Sequence, residues 1–135
     1  MDRLFLDANI LFSAAYTKQA GIKKFWTLPN IKLVSSSYAL EEAKRNLSQV
    51  EQLKQLNTLL KQVELHNGYD ETLIPSHIKL RNKDRPILAA AICSSSNYLI
   101  TGDVRDFGSF YGKKILNIVI LPPSEYLQCY SEYIL

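Results

Sequence analysis

Long apolar runs are missing from this chain. The longest, residues 87–93 and 118–121, fall far short of the roughly 20 residues needed to cross a bilayer, so no membrane span is expected. Histidine and cysteine are scarce, with two of each in 135 residues. His66 and His77 lie in the irregular middle of the sequence without a partner at ligand spacing, which argues against a zinc site and leaves both as surface residues. Cys93 and Cys129 lack ligand spacing too and have apolar neighbours; they are expected to be reduced core residues rather than a disulfide or redox pair. Charge of one sign is not in large excess: the net charge of +3 permits an anionic partner without demanding one. The opening MDRLFLDANILF carries an acid at once and no small-residue cleavage site after its short apolar stretch, so a secretory signal is not expected and the chain is assigned to the cytoplasm. Repeats and low-complexity tracts are absent.

What remains is the length and composition of one globular domain, spanning 1–135. Residues 3–6 form a short buried strand running into Asp7, and 9–16 have helical composition. Gly21 starts a second amphipathic piece through Phe25 and Trp26, ending at Pro29. Residues 31–34 are the next strand, Ser35-Ser36-Ser37 supply caps for a helix over 38–47, and Val50, Leu53, Leu56, Leu59 and Leu60 recur at helical spacing. A short strand follows at 63–65. Residues 67–82 form the longest irregular stretch and the expected mobile loop. Asp84-Arg85-Pro86 opens an alanine-rich helix too apolar to lie anywhere but centrally. Strands at 98–101 and 114–121 and a final helix after Pro122-Pro123 complete an alternation that predicts an α/β domain with a largely parallel sheet.

Ligands of open parallel sheets bind at the carboxyl ends of the strands. Asp7 and Asp103 follow strands, while Asp84 and the pair Glu41-Glu42 lie near helix starts that approach the same edge when crossovers are right-handed. Each acid alone is explained as a helix cap, contributing about 0.5–2 kcal/mol. Together they are harder to explain, because two carboxylates about 5 Å apart repel by roughly 3 kcal/mol at an effective dielectric of 20. A hard divalent cation with oxygen ligands, Mg²⁺ or Mn²⁺, removes that objection.

Four stretches, FLDANILFSA, SSSYALEEAKRNL, KDRPILAAAI and YLITGDVRDFG, together resemble the PIN domain, in the same order and at similar separations over nearly the whole chain. The resemblance implies a three-layer α/β/α sandwich whose clustered acids bind Mg²⁺ or Mn²⁺ and hydrolyse phosphodiester bonds, usually in RNA. Many short members are the toxin halves of VapC-type toxin–antitoxin pairs, which implies an RNA substrate, a cognate antitoxin protein and a homodimer. Carried onto this sequence, Asp7, Asp84 and Asp103 match the metal-binding acids, and Asn9 and Thr101 the residues that support them. The acid of the third helix is Glu41 or Glu42, with Glu42 preferred for its place before Lys44, Arg45 and Leu47. Asp106 matches a further acid that binds a second metal or orders the first. The implied reaction is attack by a metal-activated water, leaving 5′-phosphate and 3′-hydroxyl ends. A structure-specific DNA nuclease and a non-cleaving binding module are the alternatives.

An acidic pocket repels nucleic acid, so cations are needed at its rim. Lys79, Arg81, Lys83 and Arg85 form a basic run before the central helix and are expected to touch phosphate, with Lys44 and Arg45 after Glu42; the pairs Lys23-Lys24 and Lys113-Lys114 add charge elsewhere. Phe5, Phe12, Phe25 and Trp26 are expected in the core. Tyr126, Tyr130 and Tyr133 share a helix face suited to packing on the sheet or to self-association.

Overall fold

The computed structural model describes residues 1–17 and 21–134, the last four of these by backbone alone, so the side chain of Tyr133 lies outside the described part. Strands β1 (Asp2–Leu6), β2 (Ile31–Ser36), β3 (Val63–His66), β4 (Tyr98–Ile100), β5 (Lys114–Ile115) and β6 (Ile118–Leu121) form one sheet in the order β3-β2-β1-β4-β6-β5. All neighbours pair in parallel except β5 and β6. Helices α1 (Ala8–Tyr16), α2 (Ser37–Arg45), α3 (Val50–Leu60), α4 (Arg85–Cys93), α5 (Val104–Phe107) and α6 (Pro123–Ile134) flank it in an α/β/α arrangement. Among the described residues no helix is long and apolar enough to cross a membrane.

The core forms where the apolar runs predict. Leu4, Phe5 and Leu6 of β1 and Leu99 and Ile100 of β4 are wholly buried, and in α4 every residue from Pro86 to Ala91 is buried. Small side chains let α4 lie close to the sheet. Ser35 extends β2 beyond its apolar stretch because its hydroxyl is satisfied at once, donating to the Leu6 carbonyl at 2.7 Å. Ser36 then caps α2, accepting from the Ala39 N–H at 3.1 Å. Arg3 ties both sheet and helix layers: its guanidinium pairs with Glu64 on β3 and donates to the Ser94 carbonyl at the end of α4, where a cation is favoured. Glu64 also receives His66 at 2.6 Å, and these two partners, Arg3 foremost, hold its carboxyl at about 2.

Several expectations need correction. Residues 114–121 are two strands, because the chain reverses at Leu116 and Asn117, and Ile115 pairs back onto Ile118. Two-residue hairpin loops need positive φ, usually from glycine or asparagine; here Leu116 takes it, at φ 53°, ahead of Asn117, so the position that needs the positive φ carries no residue that announces it. The segment 67–82 is held down, with a 3₁₀ turn at Glu71–Leu73, Ile74 and Ile78 buried and Arg85 bonded to Glu71 at 3.0 Å. Cys93 and Cys129 are free as expected but exposed. Cys93 ends α4 beyond its buried run, and Cys129 lines an open cleft at the amino edge of the sheet. Phe5 and Phe25 are core residues, whereas Phe12 and Trp26 are half-buried, the indole of Trp26 donating to the Leu59 carbonyl at 3.0 Å. Tyr126 is buried against Tyr98 of β4, and Tyr130 donates to the Pro29 carbonyl, so this face of α6 packs on the fold.

Candidate metal centre

The strand order reverses between β1 and β4, since β1 continues to β2 on one side while β4 leads to β6 on the other. Such a switch point opens a crevice at the carboxyl ends of the strands. Asp7 leaves β1 on one side of it and Thr101 leaves β4 on the other, with the Asp7 N–H donating to the Ile100 carbonyl at 3.1 Å. A cleft of about 570 Å³ lies above, lined among others by Asp7, Asn9, Phe12, Glu42, Asn46, Lys83, Asp84 and Asp103.

Asp7 is almost wholly buried, and its two oxygens are fixed by different neighbours. Oδ1 accepts from the Ala8 N–H at 2.6 Å, as a cap of α1. Oδ2 accepts from Thr101 Oγ1 at 2.8 Å and Asn9 Nδ2 at 3.1 Å. Asn9 in turn accepts from the Gly102 N–H at 2.8 Å, and Thr101 accepts from the Asp103 N–H at 3.1 Å. Burial nevertheless pushes the Asp7 carboxyl up to about 6, helped by the charges of Glu42 and Asp103 and opposed by the Thr101 and Ala8 hydrogen bonds. Replacing Thr101 with valine keeps the shape and removes the hydroxyl's bonds to Asp7, Asp103 and Asn9. We expect it to cost about 1–3 kcal/mol in urea unfolding at pH 8 and to raise the Asp7 midpoint followed by carboxyl NMR; unchanged stability would mean that Thr101 does not hold Asp7.

Asp84 behaves differently from a cap. It stands at the N-cap position of α4, yet its side chain makes no cap bond. Its Oδ2 is buried and has no hydrogen-bond partner, an arrangement that costs about 1–3 kcal/mol or more for a charged group. Burial, a proton-sharing contact with Asp106 and the charges of Asp106 and Asp103 push its carboxyl up to about 7, against the pull of Lys83. Asp106 moves the opposite way, held low by the Asp84 contact and by Lys83 and Arg81. Asp103 does cap a helix: its Oδ1 accepts from the Asp106 N–H at 3.1 Å at the start of α5, while Oδ2 turns toward Lys83. Of the acids that a capping role alone would explain, Asp7 and Asp103 do cap helices, whereas Asp84 does not.

Asp84, Asp103 and Asp106 each offer one oxygen within 4.8 Å of the others. The donor set is all oxygen, one atom is buried and unsatisfied, and Asp7 and Glu42 line the same cleft. These residues suit a hard divalent cation. Asp106 sits behind the cleft lining, its side chain 7% exposed and paired to Arg81 at 3.3 Å and Lys83 at 3.2 Å. Of the two adjacent glutamates, Glu42 lines the cleft, whereas Glu41 is exposed and pairs with Lys44 at 3.8 Å.

This arrangement of strands and acids can be set beside known proteins. The sequence matches no family model and no curated protein. In structure, the chain superposes on VapBC2 from Rickettsia felis, solved bound to a DNA fragment from its promoter, with a TM-score of 0.67 and 17% identity over 89% of this chain and 98% of that one. It also superposes on VapBC-1 from nontypeable Haemophilus influenzae, with a TM-score of 0.58 and 18% identity over 90% and 98%. The chain has the fold of a VapC-type PIN domain.

On this PIN-like fold the basic run lies unlike a free rim. Arg81 and Lys83 turn inward onto the acids and Arg85 onto Glu71; Lys79 alone of the four carries no ion pair among the described residues. Arg45 folds back on its own helix, its Nε donating to the Glu41 carbonyl at 3.4 Å. Phe12 and Asn46 were missed as lining residues. Helical spacing signals both, for Phe12 follows Asn9 by three positions and Asn46 follows Glu42 by four. Also missed were Tyr38, whose hydroxyl donates to the Lys83 carbonyl at 2.9 Å, and Tyr111, whose hydroxyl donates to the Thr101 carbonyl at 2.8 Å.

Proposed function

We propose that the protein is a metal-dependent endoribonuclease acting as the toxin of a toxin–antitoxin pair. The observation that carries the catalytic part is Asp84: a buried helix-opening carboxylate with an unpartnered oxygen, converging with Asp103 and Asp106. The VapBC neighbours support the pairing with an antitoxin. Asp7, Asp84 and Asp103 would hold Mg²⁺ or Mn²⁺, with Asp106 behind them. When bound, the ion supplies an acidified water and neutralises charge developing on the phosphate.

The protein's own groups do the rest. Thr101 and Asn9 keep Asp7 fixed, so its position costs nothing at the moment of reaction. Glu42 reaches the cleft from α2, where it can accept a proton from an attacking water. Phe12 supplies an apolar wall to the cleft. Substrate phosphates meet Lys83, which lines the cleft, with Lys79 and Lys44 as further contacts. Copies of the chain pair as a homodimer in the cytoplasm.

The test is to incubate the protein with single-stranded and structured RNAs and with matching DNAs, in Mn²⁺, in Mg²⁺ and in EDTA. RNA cleavage that requires metal and leaves 5′-phosphate ends is the expected result. Cutting of DNA alone would move the assignment to a DNA nuclease, and products with 2′,3′-cyclic ends would overturn the mechanism.

A further inference from the structure

Lys83 sits in the sequence beside Asp84 and in space among three acids. Its Nζ lies 3.2 Å from Asp106 Oδ2, 3.6 Å from Asp84 Oδ1 and 3.8 Å from Asp103 Oδ2. These are the three residues whose oxygens converge within 4.8 Å. We propose that the Lys83 ammonium is a built-in occupant of the metal position, which a divalent cation must displace and thereby release into the substrate cleft. The inference rests on the metal-dependent reading of the site.

The root of this side chain is fixed and its tip is not. The Lys83 carbonyl accepts from the Tyr38 hydroxyl, and the next residue is the N-cap of α4, so the backbone stays where the helix begins. The side chain is 51% exposed and borders the cleft. It can swing on its flexible four-carbon stem, giving up only its contacts to the three carboxylates that the cation would take over.

Charge explains why it rests where it does and why it leaves. One ammonium relieves repulsion among three carboxylates only in part, and its contacts of 3.2–3.8 Å are loose. A divalent cation brings twice the charge at about 2.1 Å. Arg81 remains on Asp106 after the exchange, so that acid keeps a partner. The freed ammonium then projects into a cleft whose other lining charges, Asp7, Glu42, Asp84 and Asp103, are all negative. An anionic phosphate is the ligand it would meet there. Metal entry and substrate capture are thus coupled through one residue, and the chain without metal presents a partly compensated, unready site.

Calorimetric titration with MnCl₂ at pH 8 tests this on the full chain, comparing wild type with Lys83→Met and Lys83→Arg. Lys83→Met should bind Mn²⁺ about tenfold more tightly, and Lys83→Arg, which keeps the charge, should stay near wild type. In parallel, acetylation of the wild-type protein followed by mass spectrometry should show Lys83 labelled several-fold faster once Mn²⁺ is added, with Lys79 unchanged as the internal reference. This second measurement decides the matter if the methionine variant does not fold. Equal or weaker Mn²⁺ binding by a folded Lys83→Met, or labelling of Lys83 indifferent to metal, overturns the displacement while leaving the metal site intact. If wild type and variants all fail to bind Mn²⁺, the metal-dependent reading and this inference fall together.

Discussion

Asp84→Asn should lower the rate of RNA cleavage by a factor on the order of 10²–10³ or more while making the metal-free protein more stable at pH 8. The two effects share a cause. At that pH the buried carboxyl is forced to ionise beside Asp103 and Asp106, with one oxygen lacking any hydrogen-bond partner. Asparagine has the same shape and no charge, so the fold is relieved of a repulsion that serves only the reaction. A gain of about 1–2 kcal/mol is a reasonable scale after allowing for the open cleft and the nearby Lys83. Rate and urea midpoint, measured on the same preparations, separate this from a structural role. A residue needed for the helix would lose both activity and stability on substitution, since no other cap replaces it. Loss of activity with gained stability identifies a group placed at the expense of the fold.

Without divalent cations, stability should fall by several kcal/mol, at most about 7, between pH 4 and pH 8. Asp7 and Asp84 have folded-state values of about 6 and about 7, above the roughly 3.9 of a carboxyl in an unfolded chain. Over that window the folded state holds protons that the unfolded state has released. Stability therefore declines as pH rises, until both groups are ionised in both states. Glu64 works oppositely and in a different window: held at about 2 by Arg3 and His66, it contributes above pH 4.5 and is lost as pH falls toward 2. The metal-free protein should be most stable near pH 4–5. Millimolar Mn²⁺ should flatten the decline, because cation binding favours the ionised folded form. Urea midpoints across pH, in EDTA and in Mn²⁺, provide the check; a decline of equal slope in both would mean that these carboxyls are not the ones the cation meets.

Which parts of the site the sequence could reveal follows from the distance over which each is determined. Asp7 and Asp103 each follow an apolar strand, and Asp84 opens a helix, so local pattern and the geometry of parallel sheets bring them to one edge without knowledge of packing. Glu42 and Glu41 are adjacent, and helical geometry sends neighbours about 100° apart. Only the packing of α2 against α1 decides which of them faces the cleft. Lys83 and Arg81 were legible as basic residues and illegible as counter-ions. Their direction depends on Asp106, which lies more than twenty positions away and arrives through the turn of α5. The hairpin at Leu116 escaped notice because a leucine holds a conformation that glycine usually announces. The exposed cysteines were misplaced for a simpler reason: apolar neighbours in sequence do not show that Cys93 falls at the exposed end of α4 or that Cys129 falls on the side of α6 that faces an open cleft.

The two ends of the sheet share a feature that bears on how the molecule behaves in a crowded solution. One border is the four-residue β3, carrying Glu64 and His66, and the other is the two-residue β5, preceded by Lys113 and containing Lys114, both exposed. A bare strand edge invites the backbone of another molecule to continue the ladder, and short length and charge discourage it. The lysine pair at β5 needs no nucleic acid to explain it: an exposed charge at a short border is what discourages edge-to-edge polymerisation.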